Sequence, residues 1–363
     1  MQPFVHTGFA GRVVFGAGRL AELPQEVARL GARRALVLCT SEQRDVAQAV
    51  AAALGDRAAG IHDRARMHVP IETAQAAREE ARRLDADCCV AVGGGSTIGL
   101  GKAIALTSDV PIVAVPTTFA GSEMTTIWGI TEAGVKKTGR DARVLPRTVV
   151  YDPDLLATLP ARIAGPSGMN AIAHCVEALY AVDGNPVVSM IAEEGIRALA
   201  SSLPRLMAGD AKARAGALAE ALSDALYGAW LAGSALNGAS MAIHHKLCHT
   251  LGGTFDLPHA ETHTVVLPHA VAYVEPAAPA AMSRVRRALG AFDTGSAAGG
   301  LAALARAIGA PTSLAALGMP ADGIDRAADL AVQNPYWNPR PIERDAIRAL
   351  IDDAWHGRAP PGA

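Results

Sequence analysis

Along the first 155 residues, short apolar runs alternate with Ala-rich stretches whose apolar positions recur every three or four residues. "RRALVLCT" (33–40) reads as a buried strand, "RDVAQAVAAALG" (44–55) as a helix and "ETAQAAREEARRLDA" (72–86) as another helix; "DCCVAV" (87–92) and "VPIVAVPTT" (110–118) read as two further strands. Strands separated by helices of this length need crossover connections, which predicts a parallel sheet in an α/β domain. From "SGMNAIAHCVEALYA" (167–181) onward the pattern becomes long helical segments, broken at "GDAKARAG" (209–216), "FDLPHAE" (255–261) and "FDTGSAAGG" (292–300). A second, all-helical domain is therefore expected. The change falls within "VVYDPDLLATLP", giving an α/β domain over 1–155 and a helical domain over 156–363.

Charge narrows the function. The 33 basic and 35 acidic residues leave a formal net charge of −2 and are mixed along the chain, with no Lys/Arg stripe to follow a phosphate backbone, so nucleic acid is not an expected partner. The start, "MQPFVHTGFAGRVVF", lacks the charged and apolar regions of a signal peptide, and no apolar run reaches membrane-spanning length. A cytoplasmic protein with no membrane partner is expected. Five cysteines without a C-x-x-C pair suggest neither a disulfide framework nor a thiolate zinc site; they read as small buried hydrophobes.

In "DCCVAVGGGSTIGLGKAIAL" an apolar strand runs into Gly93-Gly94-Gly95-Ser96 and then into a helix, which brings bare N–H groups and a helix N-terminus to one spot that suits a phosphate. A nucleotide-hydrolysing P-loop is rejected, because Ser96 stands where its first glycine belongs and Ala103 follows Lys102 where Ser or Thr is required. The dinucleotide pattern G-x-G-x-x-G fits poorly, since Ile98 takes the place of the third glycine. Alone, the glycines would serve equally well as a tight turn. A second loop after a strand, "VPTTFAGSEMTT", adds the hydroxyls of Thr117, Thr118 and Ser122, and two polar loops at neighbouring strand ends make a ligand crevice.

The helical half carries the imidazoles. His245 and His249 are spaced i, i+4 on a helix, His259 follows in a Pro-containing loop, and His174 lies four residues after Asn170 on another helix. That density is what a transition-metal site or an acid/base site requires. His6, His62 and His356 read as satisfied structural residues, and His244, His263 and His269 remain unassigned.

"GGGSTIGLGKAIAL", "PTTFAGSEMT", "GVKKTGRDARVLPRTVVYDPDL", "GMNAIAHCVEA" and "HHKLCHTLGGTFDLPHA", in this order, resemble the iron-containing (group III) alcohol dehydrogenase superfamily and, within it, the branch that reduces maleylacetate. The resemblance runs from about Phe15 to the "NPRP" near residue 340. It implies a Rossmann-like dinucleotide-binding α/β domain followed by a helical catalytic domain, in a homodimer. Gly94, Gly95 and Ser96 would hold the pyrophosphate of NADH or NADPH, Thr117, Thr118 and Ser122 the rest of the dinucleotide, and Lys137 would lie near the cofactor. The family's metal ligands, an Asp and three His, fall on Asn170, His174, His245 and His259.

Two departures shape the expected chemistry. An amide at Asn170 leaves a divalent ion's charge uncompensated, so catalysis without a metal is expected; if iron or zinc is held, these four residues hold it. Thr40 stands where NAD-preferring members place an acidic residue against the ribose, so NADPH is expected to be admitted beside NADH. The implied reaction is hydride addition to the conjugated C=C bond of a small dicarboxylate, maleylacetate, which gives an enolate and then 3-oxoadipate. In it His245 and His174 are hydrogen-bond or acid partners at the substrate, Asn170 binds it, His259 completes the catalytic histidines, His249 lies beside the nicotinamide, and Lys246 or Arg143 meets the carboxylates. Two alternatives stay open: a metal-dependent alcohol or aldehyde oxidoreductase of the same superfamily, and a nucleotide-binding protein without catalysis.

Overall fold

In a computed structural model of the chain, which describes residues 4, 6–8, 11–133, 135–208, 215–333 and 336–362, the chain divides into two units, Gly8–Leu159 and Pro160–Ala363, the second of which also takes in Met1–Thr7. The first unit carries strands β1 (Arg12–Phe15), β2 (Ala35–Leu38), β3 (Ala58–His62), β4 (Cys88–Gly93), β5 (Ile112–Pro116), β6 (Ile127–Glu132), β7 (Val135–Arg140) and β8 (Thr148–Tyr151). Helices α1 (Leu23–Arg29), α2 (Arg44–Leu54), α3 (Ile71–Arg83) and α4 (Gly95–Ser108) lie among them. Six strands form a wholly parallel sheet in the order β1-β8-β5-β4-β2-β3, while β6 and β7 make a separate antiparallel hairpin.

The sequence pattern explains the layers. Strands β2, β4 and β5 are buried at every position, which is why they read as unbroken apolar runs. Alternate residues pack on opposite faces: Val37, Cys39, Val90 and Val92 meet Leu23 and Val27 of α1 and Val50 of α2, whereas Leu36, Leu38 and Cys89 meet Ala74 and Ala77 of α3 and Leu100 and Ile104 of α4. Strands β1, β3 and β8 were not expected from the pattern. Edge strand β3 is Ala- and Gly-containing and half-buried, and β8 hides inside the stretch that marked the domain change. All five cysteines are free and buried.

Lys102, the lysine of the rejected P-loop reading, points inward. Its ammonium donates to the carbonyls of Ser122 (2.7 Å), Thr125 (2.8 Å) and Ile127 (2.7 Å) and to Thr125 Oγ1 (2.9 Å), fixing the second polar loop. Burial pushes its pKa down to about 7.

The second unit holds α5 (Ala161–Tyr180), α6 (Pro186–Met207), α7 (Ala215–Gly238), α8 (Ile243–Phe255), α9 (His259–Val274), α10 (Pro279–Leu289), α11 (Ala297–Ala307), α12 (Gly323–Ala331) and α13 (Arg344–His356). Helix α5 packs against α6, α7 and α9 and is buried on all sides from Ala164 to Ala178, as an apolar helix at the centre of a bundle must be. The break expected at "FDLPHAE" separates α8 from α9, with Asp256 in the left-handed conformation. That at "FDTGSAAGG" ends sooner, because Ser296 caps α11 through the N–H of Gly299 (2.9 Å). The break expected at 209–216 falls mainly on 209–214, outside the described residues. Among the described residues no helix is long and apolar enough to cross a membrane.

Gly93 closes β4 with φ +151°, and a Cβ there would lie 2.5 Å from Thr97 Oγ1 and 2.6 Å from Gln43 Oε1. Gly93→Ala is expected to lower stability by about 2–3 kcal/mol through strain and overlap. An unchanged urea midpoint would contradict this packing.

Candidate active site

Helix α8 starts against a carboxylate. Glu177 of α5 is fully buried; its Oε1 accepts from the N–H of His244 (2.8 Å) and the hydroxyl of Tyr180 (3.0 Å), and its Oε2 accepts from the N–H of Ala242 (3.0 Å) and from His245 Nδ1 (2.7 Å). One side chain thus satisfies orphan donors at the helix start and grips the ring of His245. The sequence reading passed over Glu177, although it shares a helix face with Asn170 and His174 at spacing i, i+4, i+7.

Around this anchor the imidazoles form a chain. Ring centroids lie 5.1 Å apart for His174 and His245, 4.9 Å for His245 and His263, 4.2 Å for His263 and His259, and 6.3 Å for His259 and His249. His174 and His245 are buried, His259 is half-buried and His249 is exposed. His244 and His263, left unassigned from sequence, are fully buried members of the group; His244 Nε2 meets the carbonyl of His263 at 3.0 Å. His269 of α9 is also buried, whereas His62 belongs to the α/β unit and pairs with Glu80 (2.5 Å).

Burial holds these rings neutral. The pKa values of His174, His245 and His263 lie well below 6.5, pushed down by burial and then by neighbouring imidazoles, and that of His244 falls to about 4 for the same reasons. Burial also takes His269 to about 4.

The phosphate-loop candidates gather in the α/β unit. Gly93 of β4 pairs with Pro116 of β5, and the N–H of Thr117 donates to the carbonyl of Gly93 (3.2 Å). Gly94 caps α4, its carbonyl accepting from Thr97 and Ile98, so Gly95 and Ser96 open the helix with their N–H groups beyond its internal ladder. A Cβ on Gly94 would meet Thr118 Oγ1 at 2.9 Å, which packing alone explains. Gly95 is exposed, and a Cβ there would meet just Ala120 Cβ at 3.8 Å. Its bareness has no packing cause and suits the close approach of a phosphate. Gln43 bridges to this point from the end of β2, donating to Thr117 Oγ1 (2.5 Å). Ser122 is half-buried in the loop that Lys102 pins.

Thr40 and Ser41 in that β2 loop hold Glu42. Its own backbone N–H and then the Thr40 and Ser41 hydroxyls keep its carboxyl below the usual range, so the loop carries the negative charge that the sequence reading found missing near Thr40.

The remaining candidates differ in availability. Lys137 is exposed on β7 and paired with Glu132 (2.5 Å). Arg143 is forked onto Asp141 (2.7 Å) and also faces Asp109 (3.6 Å). Lys246, the residue after His245, sits over the ring of Tyr336 (5.5 Å to the centroid) and pairs with no carboxylate among the described residues.

Residues 10–153 match the model for iron-containing alcohol dehydrogenase, and residues 165–355 match that for the C-terminal part of the Fe-containing alcohol dehydrogenase family. The chain belongs to the iron-containing alcohol dehydrogenase family. It is 59% identical to a maleylacetate reductase of Burkholderia cepacia, over 99% of this chain and 100% of that protein. It is 58% identical to one of Sphingobium indicum, over 98% and 99%. The crystal structure of maleylacetate reductase from Agrobacterium tumefaciens superposes with a TM-score of 0.93 at 50% identity, covering 99% of this chain and 100% of that one. That of a 1,3-propanediol oxidoreductase gives 0.89 at 27%, covering 98% and 100%.

The family's name raises iron, and the donor atoms fit a divalent transition metal in kind. Asn170 Oδ1, His174 Nδ1 and His245 Nε2 are buried without a hydrogen-bond partner, as are both ring nitrogens of His263. Nitrogens of His244, His245 and His263 lie within 4.8 Å of one another. Every one of these donors is neutral, and the carboxylate of Glu177 reaches the group through the far nitrogen of His245. Such a set binds a divalent ion more weakly than one that includes a carboxylate.

The depressed histidine pKa values give stability a pH dependence. Unfolded, each ring takes a proton near pH 6.5; folded, His244 and His269 do so near 4, and burial holds the other three well below 6.5. Acid below pH 6.5 therefore protonates the unfolded chain first, and stability falls as pH falls. Metal-free protein should lose at least about 3 kcal/mol between pH 6.5 and 5, before most carboxylates titrate. A flat unfolding free energy across that window would contradict neutral burial.

Proposed function

We propose that the chain reduces the conjugated C=C bond of maleylacetate with NADH or NADPH, giving 3-oxoadipate. The observation that carries this reading is identity of 59% and 58%, over essentially whole chains, to proteins named maleylacetate reductase. Asn170, standing where the family pattern has Asp, supports it.

The reduced nicotinamide supplies the hydride. The exposed first turn of α4, with Gly94, Gly95 and Ser96, suits the pyrophosphate, and Thr117, Thr118 and Ser122 offer hydroxyls beside it. Lys137 would need to leave Glu132 to serve the cofactor, and Arg143 would need to leave Asp141 to serve the substrate. Lys246, unpaired with any carboxylate among the described residues, is the better partner for a substrate carboxylate.

Hydride addition to the alkene carbon remote from the ketone pushes an electron pair onto the ketone oxygen, forming an enolate. Protonation of the adjacent carbon, with one proton taken up from solvent, completes the product. The amide of Asn170 and those buried neutral imidazoles whose N–H is not already engaged, His174 among them, are suited to hold the enolate oxygen in a site shielded from water. His249 is exposed and 6.2 Å, ring to ring, from His245, so it suits delivery of the solvent proton. A metal, when bound, would be held by Asn170, His174, His245 and His259 and would polarise the substrate oxygen. Conjugation already provides that electron sink.

The unpartnered lone pairs of Asn170, His174 and His245 favour a second reading, a metal-dependent alcohol or aldehyde oxidoreductase. NADH oxidation with maleylacetate and with simple aldehydes, each with and without chelator, separates the two. Maleylacetate should be reduced at least about a hundredfold faster than any aldehyde, a margin of about 2.7 kcal/mol in transition-state binding, and should keep more than about half its rate after chelation. Loss of nearly all activity with chelator, restored by Fe²⁺ or Zn²⁺, would establish the second reading instead.

Glu42 should tilt the cofactor choice toward NADH by repelling a 2′-phosphate. Glu42→Gln is expected to raise kcat/KM for NADPH relative to NADH by about threefold to tenfold, the scale of one screened surface charge. An unchanged ratio would show that the loop does not meet the ribose.

A further inference from the structure

We propose that Glu177 is a positioning residue that locks His245 into one tautomer and so decides which of the site's groups can donate a proton and which cannot. In its reaction role this rests on the reading above; in its geometry it does not.

Both oxygens of Glu177 act as acceptors. They receive the N–H groups of Ala242 (3.0 Å), His244 (2.8 Å) and His245 (3.4 Å), the Tyr180 hydroxyl (3.0 Å) and His245 Nδ1 (2.7 Å). The short contact to Nδ1 therefore requires Nδ1 to carry the hydrogen. In a neutral imidazole the other nitrogen is then bare. Nε2 of His245 is that nitrogen, and it is buried with no partner.

A turn of the ring would give up this contact, and the acceptor cannot follow it. The carboxylate that holds it is itself anchored by three backbone donors at the start of α8, the helix that carries His245. Side chain and helix start are fixed by one group.

His245 thus presents a lone pair. It can accept a proton or ligate a cation, but it cannot donate to a developing enolate oxygen. Donation falls to Asn170 Nδ2 and to the other imidazoles, beginning with His174, whose ring centroid is 5.1 Å from that of His245. Across that distance a bare nitrogen on one ring and an N–H on its neighbour could hold one oxygen atom that needs a hydrogen bond given and a hydrogen bond received, as an enol does.

The test reads the ring directly. Protein labelled with ¹⁵N-histidine, with His245→Asn used to assign the signal, should show His245 with an N–H-type Nδ1 and a bare-type Nε2. Glu177→Gln, whose amide presents an N–H to one of the same partners, should move His245 away from that single tautomer. It should also lower kcat for maleylacetate about tenfold to a hundredfold, with KM changed less than about threefold, the scale seen when a group orienting an active-site histidine is lost. Glu177→Asp, which keeps the charge at a shorter reach, should recover part of both signals. A wild-type His245 protonated at Nε2 would overturn the proposal, as would an unchanged tautomer in folded Glu177→Gln protein. If Glu177→Gln fails to fold, the wild-type spectrum still decides. The spectrum needs no turnover, so an enzyme inert toward maleylacetate would defeat the proposed reaction and leave this assignment standing.

Discussion

A carboxylate with no access to water has to be surrounded by donors, and Glu177 is such a carboxylate. Five donors converge on it, and four of them belong to residues 242–245. This one requirement ties α5 to the start of α8 and fixes the ring of His245 at the join. With His245 placed, the ring-to-ring contacts to His174, His244 and His263 follow from helical spacing on α5, α8 and α9. Loss of the anchor would leave buried helix-end donors unpaired, each costing about 1–3 kcal/mol.

The same burial determines the chemistry. A cluster of imidazoles in water would be partly protonated near neutral pH; here burial and mutual repulsion keep the inner rings neutral, so they act through fixed N–H groups and lone pairs. A site of this kind suits a substrate that brings its own electron sink. In the α/β unit a second buried ion plays a similar part, since Lys102 holds the loop of Ser122 through three carbonyls while the exposed turn at Gly95 stays open.

How much of this was legible in the sequence depended on whether the cause was local. The runs of β2, β4 and β5 and the helical periods of α2 and α3 were readable because burial on both faces or on one stripe leaves a local signature. Strand β8 was not, since four residues inside a Pro- and Asp-containing stretch show no period. His245 and His249 stood out by spacing. Glu177 did not, because four of its five donors lie 65 to 68 residues away and three of those are backbone N–H groups that any sequence has. Its signal was the polar stripe Asn170, His174, Glu177 within the apolar, buried part of the helix, where each polar group must find a partner. Glu42 did not stand out, because an acidic residue in a polar loop has no period and is common without a ligand.

Position 170 carries the central claim: an amide there makes an imidazole site that holds a divalent ion weakly and works without one. The direct measurement is metal content by mass spectrometry of purified wild type and of Asn170→Asp, each equilibrated with Fe²⁺ or Zn²⁺ and then passed through a desalting column. The restored carboxylate should retain about one ion per chain where the wild type retains well under half, because a charged ligand compensates what four neutral donors do not. Equal, stoichiometric metal in both proteins would show that the amide ligates as well as a carboxylate, and the account of a site freed from its metal would be wrong.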